Sequence, residues 1–319
     1  MLRTLMQGVI CSEAGLGILL NLFVVRIIER LSDRTLQHYR VCLLISTIHA
    51  ILYSIINIVC VVTHVIDRDA VYSSLNGLVL FFPHWLADVS IITWVFLAVM
   101  SWTTLPATFM MQFMIIVRHS MPTWTILSYI YAICFLISCP IFVTVKDALP
   151  LPSFIAELEP TVRNMYSLTS EDRVLVYGGS LFPRAANGNR SFAYYTFIGI
   201  GLTFVVSYGL ALFCVRRILR AIREQTANNT GRSEKSLNVQ RRFVIMLILE
   251  ATVPFFFLGV AVGVFTLAGL AGVKLGLHAL IMSVSVAAVP AIQALLYLLH
   301  LGRSRSADSS APRAITCSA

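Results

Sequence analysis

Apolar side chains run along this chain in long unbroken stretches, and charge is confined to the short segments between them. Stretches without Asp, Glu, Lys or Arg extend over Val41 to Ile66, Val89 to Val117, His119 to Val145, Ser191 to Val215 and Leu275 to Gly302. Crossing about 30 Å of hydrocarbon takes roughly 20 helical residues, so each is long enough to span a bilayer. A sixth, Phe243 to Val273, carries the single charge Glu250. The first, Val9 to Val25, is shorter and holds Glu13. Arg26, not a small-residue cleavage site, follows it, which favours a retained helix starting near Leu5 over a signal peptide. Ala70 to Ala87 is also uncharged, but Asn76, Gly77, Pro83 and His84 interrupt it and Ser73 and Ser74 keep it polar. It reads as a loop and the lead-in to the third helix. The pattern predicts an all-α, polytopic membrane protein: one seven-helix bundle with helices near 5–28, 41–65, 88–117, 123–145, 192–216, 243–267 and 275–300. A long second outer loop (146–191), a basic third inner loop (217–242) and a short cytoplasmic tail (301–319) complete it.

Composition excludes the main alternatives. Of 319 residues, 58% are hydrophobic and 12% charged, against roughly 25% charged in soluble domains. The apolar surplus must face lipid. The seven cysteines are scattered, with no CxxC pair and no His/Cys cluster, so neither a disulfide scaffold nor a metal centre is indicated and no cofactor is expected. The net charge of +9 is better explained by topology than by nucleic acid. Segments 26–40, 118–126, 216–242 and 301–319 hold sixteen Lys and Arg, against three in the N-terminus and the loops near 67–88 and 268–277. Basic loops stay cytoplasmic, which places the N-terminus outside and the C-terminus inside a multi-pass plasma-membrane protein. Asn189-Arg190-Ser191 is then a glycosylation sequon on the outer side, next to the fifth helix.

The outline is that of a G-protein-coupled receptor, but DRY, CWxP and NPxxY are missing. The outer loops contain no Cys to tie the third helix to the second outer loop. Other features run along nearly the whole chain. Leu20-Asn21-Leu22 is followed by His38-Tyr39-Arg40-Val41-Cys42, then by Tyr53-Ser54-Ile55 and Thr63-His64. Further on come Tyr166, Ser170-Glu171-Asp172, Tyr177-Gly178-Gly179, and Ser207-Tyr208 with Cys214-Val215-Arg216-Arg217-Ile218. Gln240, Leu247, Glu250 and Pro254 precede Val289-Pro290-Ala291-Ile292. In these the sequence resembles the nematode serpentine chemoreceptors, most closely the Str type. It departs from them twice: Val117-Arg118-His119 keeps the Arg of the usual Tyr-Arg-Tyr without its aromatic flanks, and Glu250 stands where the family has Gln.

The resemblance implies a chemosensory, olfactory-type receptor that binds a small-molecule odorant or pheromone and activates a heterotrimeric G protein, and it implies placement in a sensory cilium membrane. Arg118, at the inner end of the third helix, then suits a switch role, although a lone Arg there also serves as a snorkelling anchor. Arg216, Arg217, Arg220 and Arg223 continue the fifth helix, with 216, 220 and 223 on one face, for G-protein or inner-leaflet contact. Glu250 at membrane depth must be neutralised, paired or wet, and a hydrogen bond to an Asn or Ser of another helix would hold helix six in place. Pro254, one turn on, and Pro290 are candidate hinges. Ligand recognition is expected in the outer half of the bundle, with Trp94, Trp102, Tyr208, Phe256 and Phe257 as candidates. No nucleophile-base pair, phosphate loop or paired carboxylates point to an enzyme. The rivals are a seven-helix channel or transporter using Glu13 and Glu250, and a membrane adaptor without a ligand.

Overall fold

The computed structural model describes residues 2–30, 40–67, 70–118, 124–139, 152–180, 192–227, 234–271, 273 and 276–309. Helices α1 (Leu2–Glu29), α2 (Arg40–Cys60), α3 (His84–Ile116) and α4 (Trp124–Ser138) come first. They are followed by α5 (Pro152–Tyr166) and α6 (Phe192–Ala227). Next is α7, made of Glu234–Pro254, a π-helical turn Phe255–Val260 and Ala261–Leu270; α8 (Gly276–Ser309) is last. Six of these, α1, α2, α3, α6, α7 and α8, are long and apolar enough to cross a membrane, and α4 supplies a shorter apolar helix. Side chains such as Leu19, Phe23, Leu202, Val205 and Leu267 stay more than 60% exposed. In a helix bundle such a coat is the surface offered to lipid.

Near one end lies a feature that a charge-free count does not reveal. Strands β1 (Val62–Asp67), β2 (Ala70–Leu75) and β3 (Leu175–Ser180) form an antiparallel sheet in that order. Thr63 stands opposite Ser74, His64 opposite Ser73, and Ser73 in turn opposite Tyr177. The second helix, expected to run to 65, therefore ends at Cys60. Val61 takes a left-handed φ of 42°, costly for a β-branched residue. Complete burial of Val61 against Val65, Tyr72 and Val176 holds it there. Beyond it, Val62-Thr63-His64-Val65-Ile66 carries the β-branched side chains that suit a strand. The N–H groups of Asn76 and Gly77 both donate to the Cys60 carbonyl at 3.0 Å, satisfying a helix end that would otherwise be orphaned.

Other boundaries move for a single reason. The span expected from 88 starts at His84, after a 3₁₀ turn at Leu78–Phe81. The long connection 146–191 contains α5 and β3. The basic loop 217–242 is largely helix, because α6 continues to Ala227 and α7 begins at Glu234. Likewise α8 runs to Ser309, into the expected tail. Charge stops a hydrocarbon crossing without stopping a helix, so uncharged length under-measures helices that project into water.

Among the described residues, three buried clusters organise the packing. The largest joins α1, α2, α3, α4, α6, α7 and α8 with one face of the sheet, and a small one sets Ala107 of α3 against Ile130 and Cys134 of α4. The remaining one lies on the sheet face that carries Val65 and Tyr72, opposite the face of His64 and Tyr177, where these strand residues meet Leu158, Val162 and Tyr166 of α5, Met6 and Ile10 of α1, and Leu280 of α8. Gly77 is the tightest point of that end: a Cβ there would run into the Val59 carbonyl group. Gly77→Ala is expected to destabilise the protein by about 1–3 kcal/mol, the usual range for overpacking. A melting curve of the purified protein checks this.

Candidate functional site

The sheet end is closed by hydrogen bonds that converge from α1, α3, α5, β1, β3 and the 3₁₀ turn. Tyr166 of α5 and Thr63 of β1 share a bond of 2.6 Å between hydroxyls, and the Asn76 amide donates to Thr63 Oγ1 at 2.9 Å. Arg173 donates to the carbonyls of Leu80 and Phe82 at 2.8 and 2.5 Å, and its own carbonyl accepts from Arg3 at 3.3 Å. Tyr177 of β3 donates to Asp88 Oδ1 in the first turns of α3 at 2.8 Å. Burial, and then the neighbouring Asp88 carboxylate, raise the Tyr177 hydroxyl's pKa, so it remains a donor. The segment between α4 and α6 is thus attached to the start of α3 by a phenol-carboxylate contact and a guanidinium.

Below the sheet, His64 packs its ring 5.6 Å from that of Trp94. Its backbone N–H donates to Ser283 Oγ of α8 at 2.9 Å, and its Nδ1 lies 2.8 Å from Ser73 Oγ. Desolvation pushes His64 down to about 4, so the ring is neutral at physiological pH. The Trp94 indole donates to Asn57 Oδ1 of α2 at 2.6 Å. Tyr53, one turn along α2, stacks on His49 and approaches Trp94, with ring centroids 6.4 and 6.2 Å apart.

A second aromatic group lies between α3, α6 and α7. Trp102 is buried and donates to Thr203 Oγ1 at 3.3 Å. Phe204 meets Trp102, Tyr208 and Phe255 at 5.8, 4.4 and 5.6 Å. Gly259 makes room for the Phe204 ring, whose edge a Cβ would strike. Of the expected ligand contacts, Trp102 and Tyr208 meet here and Trp94 belongs to the separate group under the sheet. Phe257 is half-buried against the core. Phe256 is 58% exposed, and its ring lies 5.4 Å from that of Phe255. Phe204, Phe255 and Asn57 carry no signal in the sequence, and His64 stands out there only within the Thr63-His64 pair. Phe204 and Phe255 are ordinary apolar residues there, and only packing distinguishes them.

Glu250 is 5% exposed and accepts a hydrogen bond from Ser46 of α2 at 2.8 Å. Ser46 in turn accepts from the Tyr297 hydroxyl of α8 at 3.1 Å. One carboxyl therefore links α7 to α2 and α8. Its need for a partner was visible in the sequence; the identity of that partner was not. Pro254, four residues on, has no N–H for the Glu250 carbonyl. The π-helical turn starts immediately after it, and π-bulges recur at functional positions. The neighbouring Ala251 carbonyl accepts from Tyr208 at 2.8 Å. Pro290 is buried in α8, and its carbonyl accepts from Asn21 of α1 at 3.1 Å. Glu13 lies on α1, partly exposed, with Oε2 buried and unpartnered among the described residues.

At the opposite end, Arg118 is exposed just past α3, and Arg216, Arg217, Arg220 and Arg223 are exposed along α6. Arg220 pairs with Glu224 at 2.8 Å and Arg217 lies 5.5 Å from the Phe213 ring centroid. The same helix buries Ile218 and Ile222, and Gln225 donates to the Ile116 carbonyl at the end of α3 at 3.2 Å. Asn189 lies outside the described residues. No group of His, Cys, Asp and Glu able to hold a metal occurs among the described residues.

Residues 9–306 match the family described as the serpentine type 7TM GPCR chemoreceptor Str. The chain belongs to this family. Its receptor fold is similar to that of squid rhodopsin in a crystal structure, with a TM-score of 0.65 at 12% identity over 97% of this chain and 84% of the other. No curated protein matches its sequence. The molecule is accordingly a multi-pass membrane receptor of the seven-helix G-protein-coupled type, and its family and fold are those of receptors rather than enzymes.

Two outcomes follow for the receptor's sheet end. Arg173→Ala strands two carbonyls and is expected to lower stability by about 1–3 kcal/mol, read as a melting shift in detergent or nanodiscs. The unfolded imidazole titrates near 6.5 and the folded one near 4. Stability from neutral His64 is therefore complete above about pH 6.5 and is lost as pH falls towards 4. His64→Gln should flatten the melting-temperature profile across that window.

Proposed function

We propose that this receptor is chemosensory, binds a small odorant-like molecule in the half of the bundle beneath the sheet, and promotes nucleotide exchange on a heterotrimeric G protein. The sheet end faces outward and the arginine-bearing end faces the cytosol. The basic excess at that end supports this orientation. Ligand contacts come from Trp94, Trp102, Tyr208 and Phe257, with Phe204 and Phe255 joining them in place of Phe256. The observation that carries the reading is the Ser46–Glu250 bond, which restrains α7 immediately before Pro254 and the π-helical turn. A restrained segment next to a weakened stretch of backbone hydrogen bonding is a two-state element, and a ligand that binds the released arrangement better shifts its population. Pro290, next to the α1 contact through Asn21, is the companion bend in α8.

On the cytosolic side, Arg118 and the row Arg216, Arg217, Arg220 and Arg223 present guanidinium groups to the G protein and to anionic inner-leaflet lipid. Helix α6 is 36 residues long, about 54 Å, so its last turns stand clear of a 30 Å hydrocarbon layer.

The test is basal signalling. Ser46→Ala and Glu250→Leu are expected to raise ligand-free nucleotide exchange about fivefold each, as loss of a restraint worth about 1 kcal/mol implies. Glu250→Gln keeps a hydrogen-bonding acceptor and should stay near wild type. Unchanged basal exchange in both disrupting variants at equal surface expression would reject the restraint. Arg118→Gln should lower ligand-driven exchange at least severalfold while surface expression is preserved; full coupling in that variant would return Arg118 to the role of a membrane anchor.

A further inference from the structure

The contact between α3 and α6 is hydrogen-bonded at its two ends and leaves an amide unmet between them. Trp102 donates to Thr203 at one end, and Gln225 donates to the Ile116 carbonyl at the other. Between these bonds Leu105, Phe109, Gln112 and Ile116 are all buried, and their spacing of three and four puts them on one face of α3. Gln112 is the polar member of that stripe and is 0% exposed. Neither its Nε2 nor its Oε1 has a hydrogen-bond partner among the described residues, and less than 1 Å² of either atom is accessible. No water can therefore touch them.

Helix α6 offers the amide nothing in return. Its face continues from Thr203 through Ser207, Ala211, Cys214, Ile218 and Ile222, again at intervals of three and four and again buried. The aliphatic members have no polar atom and a thiol is a weak partner. Ser207 Oγ is itself unpartnered among the described residues, so it does not reach Gln112. A buried amide left in this way costs the packed form its full desolvation penalty, and folded proteins keep few such groups. An apolar side chain of similar length would fill the same place without that cost, so the amide works against closure of this contact.

Its position decides how the penalty is relieved. Gln112 precedes the end of α3 by four residues, about 6 Å along the axis, and Arg118 just beyond is exposed. Parting of α3 and α6 at this end, with loss of the Gln225–Ile116 bond, lets water reach the amide after advancing a single turn.

We infer that Gln112 is a built-in load against the closed receptor: its unpaired amide disfavours the packed contact between α3 and α6 and is hydrated when their arginine-bearing ends part. This rests on the receptor reading above, and it sets a weight opposite the Ser46–Glu250 restraint. One holds the resting arrangement and the other keeps it close to release.

The experiment uses full-length receptor in phospholipid nanodiscs. Gln112→Leu and Gln112→Met both remove the amide, one with a branched and one with an unbranched side chain, so a misfit of one shape is not mistaken for the effect of polarity. Each should raise the melting temperature. Each should also slow backbone hydrogen–deuterium exchange in segments 105–118 and 214–227, and lower ligand-free nucleotide exchange on a heterotrimeric G protein, both about fivefold, the low end expected for relief of one unpaired buried group. An amide that merely supported the fold would give the opposite sign in the melting curve. Melting temperatures at or below wild type in both variants overturn the inference, and failure of both to fold counts as that result. So does unchanged hydrogen exchange in the two segments, or nucleotide exchange equal to that of an active wild type. Raised stability and slower hydrogen exchange, with no nucleotide exchange even by wild type, keep the load and remove the G-protein reading. Nucleotide exchange that responds to Ser46→Ala, while hydrogen exchange ignores both Gln112 variants, does the reverse.

Discussion

In hydrocarbon, a peptide carbonyl that loses its helical donor has no water to turn to, and this constraint governs where the bundle is permitted to be irregular. Beside each proline a side chain adds a bond to a nearby carbonyl. Just before Pro106, Thr104 keeps its helical N–H bond to the Met100 carbonyl at 3.2 Å and adds its hydroxyl to the same oxygen at 2.8 Å. Next to Pro254 the Ala251 carbonyl takes the Tyr208 hydroxyl from α6, and at Pro290 the carbonyl takes the Asn21 amide from α1. The strands, which cannot satisfy themselves within one segment, are confined to the end of the bundle, where α5 covers them.

Bonds of this kind also couple the helices mechanically. Glu250 and Tyr208 act on adjacent residues of α7, the first holding it to α2 and α8 and the second to α6. Both fall within the turn that ends at Pro254. A displacement of the Phe204, Tyr208 and Phe255 rings therefore bears on the same few peptide groups as the Ser46 contact. In a close-packed interior such neighbouring contacts tend to change together rather than by degrees.

The sheet end solves a different problem. Members of the rhodopsin-like class commonly join the third helix to the second outer loop covalently, and this chain has no cysteine in position to do so. Tyr177 on Asp88 and Arg173 on two carbonyls occupy the same junction with bonds that open and close without redox chemistry. The apolar cluster shared by α1, α5, β1 and β2 supplies the rest of the closure. Beneath this lid, the neutral His64 and the Trp94–Asn57 pair form an uncharged environment, in contrast to the arginine-rich opposite end.

Hydrophobic run length and charge placement are local quantities, so the seven-helix plan, the membrane setting and the pull toward a receptor family were all readable in the order of residues. So was the isolation of Glu250, because a carboxyl within an apolar helix requires a partner somewhere. Which hydroxyl answers it depends on how α2, α7 and α8 pack, and Ser46 and Tyr297 stand 204 and 251 residues away from their respective partners. The strand after Cys60 was hidden for the same reason: Val61–Ile66 is as apolar as the helix before it, and only pairing with residues 70–75 and the burial of Val61 decide between the two forms. Contacts between segments far apart in the chain are set by packing energy summed over the whole bundle, and no window of sequence contains that sum.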